Sequence, residues 1–138
     1  MTICLDTNVL IQMFGEKARW RPLRDALFLG RLNCAVSTSV LMEYEEIVSD
    51  RMGSSRWRQV AAFMDFLAEV RGTVRHVAPS FQFRVILHDM DDNKFTDCAI
   101  AADADFLITE DRHFSALENA GYKPKPISPD EFLRRFLP

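Results

Sequence analysis

Residues Ile3-Cys4-Leu5-Asp6-Thr7-Asn8-Val9-Leu10 constrain the fold more than any other stretch of the chain. A short apolar run, two residues in, stops abruptly at an acid and two small polar residues. Such a run does not alternate between apolar and polar positions, so it predicts a strand buried on both faces, as in a parallel sheet. A parallel sheet in turn demands crossover connections, usually helices. Asp6 then falls where the strand leaves the sheet. In open α/β sheets ligands bind just beyond the carboxyl ends of the strands. Two readings of Asp6 stand at this point: an acid placed for chemistry, or a cap or turn residue, a role equally open to Asn8.

The remaining chain alternates in the way the first stretch requires. Val9 to Phe14 reads as a short helix or turn ending at Gly15, and Glu16 to Arg31 as a helix with Trp20, Leu23, Leu27 and Leu32 near helical spacing. Arg19, Arg21, Arg24 and Arg31 stud that segment as a solvated face, with phosphate contact the lesser reading. Asn33 to Val36 is a second buried strand. Ser37, Thr38 and Ser39 offer N-caps for a helix over Val40 to Arg51, whose apolar stripe is Val40, Tyr44, Ile47 and Val48. At about 100° per residue, Glu43 lies at the edge of that stripe. Complementing the helix dipole explains an acid there, and so does a metal or substrate role.

Met52 to Ser55 breaks the chain and caps a third helix with a stripe of Trp57, Val60, Ala61, Met64, Leu67 and Ala68, ending at Gly72. Arg56 and Arg58 face solvent. Thr73 to Val77 is extended and stops at Pro79, with His76 structural, and Phe81 to Leu87 is either an extended edge or an irregular connection. Asp92 or Asn93 caps a helix whose body, Cys98 to Ala102, is made of small residues that allow close approach to neighbours. Asp97 in that body is costly to bury unless paired or liganded. Asp89, Asp91 and Asp92 fit loop and cap positions. Asp105 to Thr109 is the next strand, followed by Glu110 and Asp111, then a short helix around Ser115 to Ala120. Lys123 to Ile127 is an edge segment because its prolines cannot donate to a central ladder. Ser128-Pro129-Asp130-Glu131 opens a last helix through Phe136.

At 138 residues, 48% hydrophobic and 27% charged, the chain has the size and composition of one globular domain spanning 1–138. No apolar run approaches the length of a membrane span, and the N-terminal run contains an acid and no basic leader, so neither membrane nor secretion is expected. Cys4, Cys34 and Cys98 are widely spaced among apolar residues, as buried reduced thiols of a cytoplasmic protein would be. The net charge of −3 argues against nucleic acid only if the acids are spread evenly.

They are not expected to be. Asp6 and Asp111 leave the carboxyl ends of two strands, and Glu43 is one turn into the helix after a third. Crossover helices run antiparallel to the strands, so Asp97, early in its helix, belongs over the same edge, while Asp103 and Asp105 belong at the opposite one. Four carboxylates at one edge repel unless a cation holds them. Oxygen donors without a His or Cys cluster suit Mg²⁺ or Mn²⁺. The chain has no P-loop, dinucleotide fingerprint or nucleophile elbow. Metal-assisted attack of water on a phosphodiester is the chemistry such a site points to.

Leu5-Asp6-Thr7-Asn8-Val9-Leu10, Ser39-Val40-Leu41-Met42-Glu43-Tyr44, Asp91-Asp92-Asn93-Lys94-Phe95-Thr96-Asp97 and Ile108-Thr109-Glu110-Asp111 together resemble the PIN-domain ribonucleases, in the expected order along nearly the whole chain. The likeness is to the prokaryotic toxin components of toxin–antitoxin pairs related to VapC. It implies a three-layer α/β/α fold with a central, mainly parallel sheet and a Mg²⁺- or Mn²⁺-dependent endoribonuclease. By position, Asp6, Glu43, Asp97 and Asp111 match the family's catalytic, metal-holding acids, with Asn8 and Thr109 supporting. The resemblance also implies an RNA substrate, a homodimer and a separate antitoxin chain. The alternatives are a non-catalytic PIN-like module that binds RNA or protein, a Mg²⁺-dependent phosphatase, and recognition of structured DNA.

Overall fold

Strand β1 (Thr2–Leu5) is buried along its whole length, as a non-alternating apolar run requires when both faces of a sheet are covered. A computed structural model of the protein describes residues 1–79, 93–119 and 123–138. Among these, β1 pairs with β2 (Asn33–Val36) on one side and β4 (Phe106–Ile108) on the other. Strands β3 (Val74–His76) and β5 (Lys125–Ile127) form the edges, giving the order β3-β2-β1-β4-β5. Every pairing is parallel. The expected edge position of the Lys-Pro-Lys-Pro segment is where β5 lies.

Among the described residues six α-helices flank the sheet in a three-layer α/β/α arrangement: α1 (Thr7–Ile11), α2 (Arg21–Phe28), α3 (Thr38–Met52), α4 (Ser54–Phe66), α5 (Asn93–Ala101) and α6 (Pro129–Phe136). A π-helical turn, Leu67–Arg71, extends α4 to Gly72, whose φ of 67° ends it in the left-handed conformation that glycine adopts freely. A 3₁₀ helix, Arg112–Asn119, precedes β5. Helix α5 rests on β1, β2 and β4 and against α3. Its small residues permit this: Cys98 and Ala99 are fully buried, and the Cys4 thiol lies 3.8 Å from the Phe95 carbonyl oxygen.

Several boundaries differ from the expectations. The helix expected over Glu16 to Arg31 is shorter, because Trp20 turns into the core just before Pro22 in the first turn of α2. Helix α3 starts at Thr38 on a Ser37 cap, whose hydroxyl accepts from Val40 N at 3.2 Å. The break before α4 is made by Gly53 alone, with φ 92°, and no serine side chain caps that helix. The final helix does start on Ser128, which accepts from Glu131 N at 3.2 Å. His76 Nε2 lies 3.3 Å from the Thr38 hydroxyl, tying β3 to the start of α3. All three cysteines are free and buried. The expectations for Phe81 to Leu87 and for Asp89, Asp91 and Asp92 lie outside the described residues. None of the described helices is long and apolar enough to cross a membrane.

Candidate active site

The strand order creates the site's position. From β1 the chain moves outward to β2 and β3, then returns to β4 on the other side of β1. The crevice at the carboxyl ends of β1 and β4 is therefore the point where the winding reverses, the usual place for a ligand in such sheets. Asp6 leaves β1 there, its N–H bonded to Ile108 O at 3.1 Å, and Thr109 leaves β4 beside it.

The Asp6 carboxylate is 7% exposed and held at both oxygens. Oδ1 accepts from Thr7 N at 2.8 Å and Oδ2 from the Thr109 hydroxyl at 2.7 Å. Asp6 is thus also the N-cap of α1, and its two sequence readings are compatible. From Asp6 a chain of polar contacts extends in both directions. On one side the Thr7 hydroxyl donates to Glu43 Oε2 at 2.5 Å, and Lys94 Nζ lies 3.1 Å from Glu43 Oε1. On the other side Thr109 Oγ1 accepts from Asp111 N at 2.9 Å, and Asp111 Oδ1 accepts from His113 N at 2.9 Å. The Thr109 hydroxyl links two groups by donating to one and accepting from the other, while Thr7 links Asp6 and Glu43 through its backbone N–H and its hydroxyl.

Glu43 reaches this position because its neighbour is anchored. Tyr44 is fully buried and its hydroxyl donates to the Leu5 carbonyl, the last of β1. Turning the Tyr44 face of α3 onto the strand end leaves Glu43 at the border, as the helical wheel predicts. Lys94, in the first turn of α5, confirms that this helix starts over the carboxyl edge. Asp97 is half-buried one turn on, about 4.5 Å along the axis by the helical rise, and three residues apart it shares a face with Lys94. The opposite edge holds Asp105, which accepts from Thr2 N at 3.0 Å and lies 3.3 Å from Lys123 Nζ.

Burial raises the pKa of Asp6. The bonds from Thr109 and Thr7 pull it partly back, and the nearby Asp111 and Glu43 charges push it up again. The site therefore holds negative charge under tension, with Lys94 as its cation.

Asn8, expected to support Asp6, is exposed, and its side-chain oxygen accepts from Arg51 at 2.8 Å. The bonds to the Asp6 carboxylate come from Thr109, the other residue expected in a supporting place, and from Thr7. Thr7 was legible only as a small polar residue at the strand exit, since its partner Glu43 is 36 residues away. Tyr44 read as core, and its hydroxyl left no mark in the stripe.

The donor set at this edge is carboxylate and hydroxyl oxygen, the chemistry that hard divalent cations prefer. Each Asp6 oxygen keeps a lone pair beyond the bond it accepts. Among the described residues no three His, Cys, Asp or Glu side chains come together closely enough to hold a metal. The acids are joined through hydroxyls, and Lys94 sits on Glu43. In donor chemistry the residues fit a divalent cation; to share one, the carboxylates must draw closer.

A model of the PIN domain family matches residues 2–113, a span that takes in Asp6, Glu43, Lys94, Asp97, Thr109 and Asp111. No curated protein matches the chain.

Proposed function

Since the chain belongs to the PIN-domain family, a nuclease-type fold, we propose that it is a metal-dependent endoribonuclease that hydrolyses RNA phosphodiester bonds at the carboxyl edge of β1 and β4. The observation that carries this reading is the continuous polar chain Lys94–Glu43–Thr7–Asp6–Thr109–Asp111 at the switch point of the sheet. Asp6, Glu43 and Asp97 would hold Mg²⁺ or Mn²⁺, with Asp111 a ligand for a second ion. Such a cation supplies charge for the phosphate and makes water acidic enough to act as a nucleophile near neutral pH.

The protein's own residues do the rest. Thr7 N and the Thr109 hydroxyl fix the plane of the Asp6 carboxylate, so its free lone pairs point one way before any ligand arrives. Glu43 either joins the cation or orients the attacking water. Lys94 holds Glu43 in place through their ion pair. In the net reaction an oxygen–phosphorus bond forms from water, a phosphorus–oxygen bond of the RNA breaks, and the leaving oxygen takes up a proton.

The resemblance to VapC-related proteins extends the reading. The protein would be the toxin of a toxin–antitoxin pair, a single catalytic domain acting in the cytoplasm as a homodimer and restrained by an antitoxin chain. The decisive experiment is cleavage of an RNA panel with Mg²⁺ or Mn²⁺ by wild type and Asp6→Asn side by side. Metal-dependent cleavage lost in the variant is expected; no cleavage, or equal cleavage by both, overturns the nuclease. The ion pair of Lys94 with Glu43 favours one second reading, a PIN module that binds RNA without cutting it. Tight RNA binding without turnover in either metal would select it.

A further inference from the structure

Arg21 and Arg24 on α2 and Arg56 on α4 were read from the sequence as solvated faces, yet the fold brings them to one groove of about 860 Å³. Phe14, Phe28 and Phe63 form its apolar part. Arg56 crosses from α4 to the turn after α1: its guanidinium atoms lie 3.7–4.0 Å from where a Cβ on Gly15 would stand. Gly15 has φ 105°, a conformation suited to glycine, so the turn needs that residue, and the guanidinium lies in ordinary van der Waals reach of it. Arg24 is fixed by a bond from Nη1 to Met13 O at 3.2 Å and lies 5.9 Å from the Phe14 ring centre. Among the described residues its acidic partner is Asp25, 3.9 Å away. Arg21 and Arg56 make no ion pair among the described residues.

With Glu16 and Asp25 also on its wall, the groove keeps an excess of one positive charge on a chain whose net charge is −3. It also offers a ring. Phe28 is 40% exposed, backed by Phe66 in a stacked pair with centres 5.5 Å apart and by the Arg71 guanidinium 4.9 Å from its ring centre. Unpaired guanidinium groups next to an exposed, supported ring are what a single nucleic-acid strand uses, phosphate on the cation and base on the ring. A duplex cannot use the ring, because its bases are already stacked and paired. The groove is joined to the acidic site by α1: Asp6 caps its first turn, and Phe14 and Gly15 follow its last. Five helical residues span about 7.5 Å.

We propose that this groove binds the single-stranded stretch of RNA flanking the bond to be cut, with Arg21 and Arg56 on phosphates and Phe28 under a base. The inference rests on the nuclease reading for the identity of the strand, but its test does not depend on cleavage.

Binding of a fluorescent mixed-sequence oligoribonucleotide of roughly 12 nucleotides is measured in EDTA, across a range of salt. Full-length wild type is compared with Arg21→Ala/Arg56→Ala and with Phe28→Ala. The double variant is expected to bind at least tenfold more weakly at low salt, with its log–log salt slope shallower by about 1.4, near 0.7 for each lost phosphate. Phe28→Ala is expected to bind about fivefold or more weakly with the wild-type slope. An unchanged melting temperature in the double variant, whose side chains carry no fold contacts beyond the groove, keeps the result interpretable. Wild-type affinity and slope in the double variant overturn the proposal, and are the outcome if the groove serves a protein partner. Equal affinity for a duplex of the same sequence also overturns it. If metal-dependent cleavage is absent but this binding pattern holds, the nuclease reading fails and the groove stands.

Discussion

The two ends of the sheet treat the same side chain in opposite ways. Asp105 sits at the amino edge, where the Thr2 N–H and the Lys123 ammonium lower its pKa. Asp6 sits at the carboxyl edge, where burial and two acidic neighbours raise its pKa against the pull of two hydrogen bonds. One carboxylate is ionised to the benefit of the fold. Ionising the other is at the fold's expense. An acid whose ionisation favours the folded state fits a structural role, while a buried acid crowded by other acids is a candidate for holding a ligand.

The sharpest way to break this contrast is to neutralise each acid in turn. Asp6→Asn is expected to lower RNA cleavage by about 100-fold or more while melting in EDTA no lower than wild type. Asp105→Asn should cleave as wild type does. A cleavage loss in Asp105→Asn, or none in Asp6→Asn, would erase the distinction between the edges. Next in size is Tyr44→Phe, which leaves the buried Leu5 carbonyl without its donor and should cost about 1–2 kcal/mol in urea unfolding. Lys94→Met removes the carboxyl edge's own cation. We expect a loss of about 1 kcal/mol in EDTA, shrinking as Mg²⁺ is added, which a melting series in both conditions would show.

The smallest effect is at Asp105. Its side chain is 35% exposed, so solvent screening holds the loss in Asp105→Asn to about 0.5 kcal/mol. Its pH dependence nonetheless has a definite sign. A lowered carboxyl pKa stabilises the fold above the unfolded value and loses that contribution as pH falls through the folded value. Asp6 runs the other way: with a raised pKa, the fold gains stability as pH falls through its folded value towards the unfolded one. Acid unfolding curves of the two asparagine variants against wild type should therefore diverge in opposite directions.

Much of this layout was readable before any coordinates. Strand β2 has the bounds expected for it, and the exits at Asp6 and after β4 follow from runs that stop at polar residues. Glu43 was visible through the wheel, because a helix has one phase and an acid at its border is conspicuous. What could not be read is whatever depends on two distant segments meeting. Thr7 finds Glu43, and Thr109 finds Asp6, only once the strand order is known, and that order is set by crossovers that leave no local pattern. The arginines failed for the same reason. Arg21 and Arg56 each look solvated on their own helix, and only the approach of α4 to the Gly15 turn makes a shared groove of them.

The phenol of Tyr44 on the last carbonyl of β1 has a mechanical consequence. It bolts α3 to the strand that carries Asp6, so those two walls of the cleft travel as one body. Helix α5 is packed on β1, β2 and β4 as well, so adjustment that draws carboxylates round a cation falls to side-chain rotation, which the four freely turning bonds of the Lys94 arm on Glu43 allow. The walls of the cleft are fixed, and what adjusts is the reach of the side chains they carry.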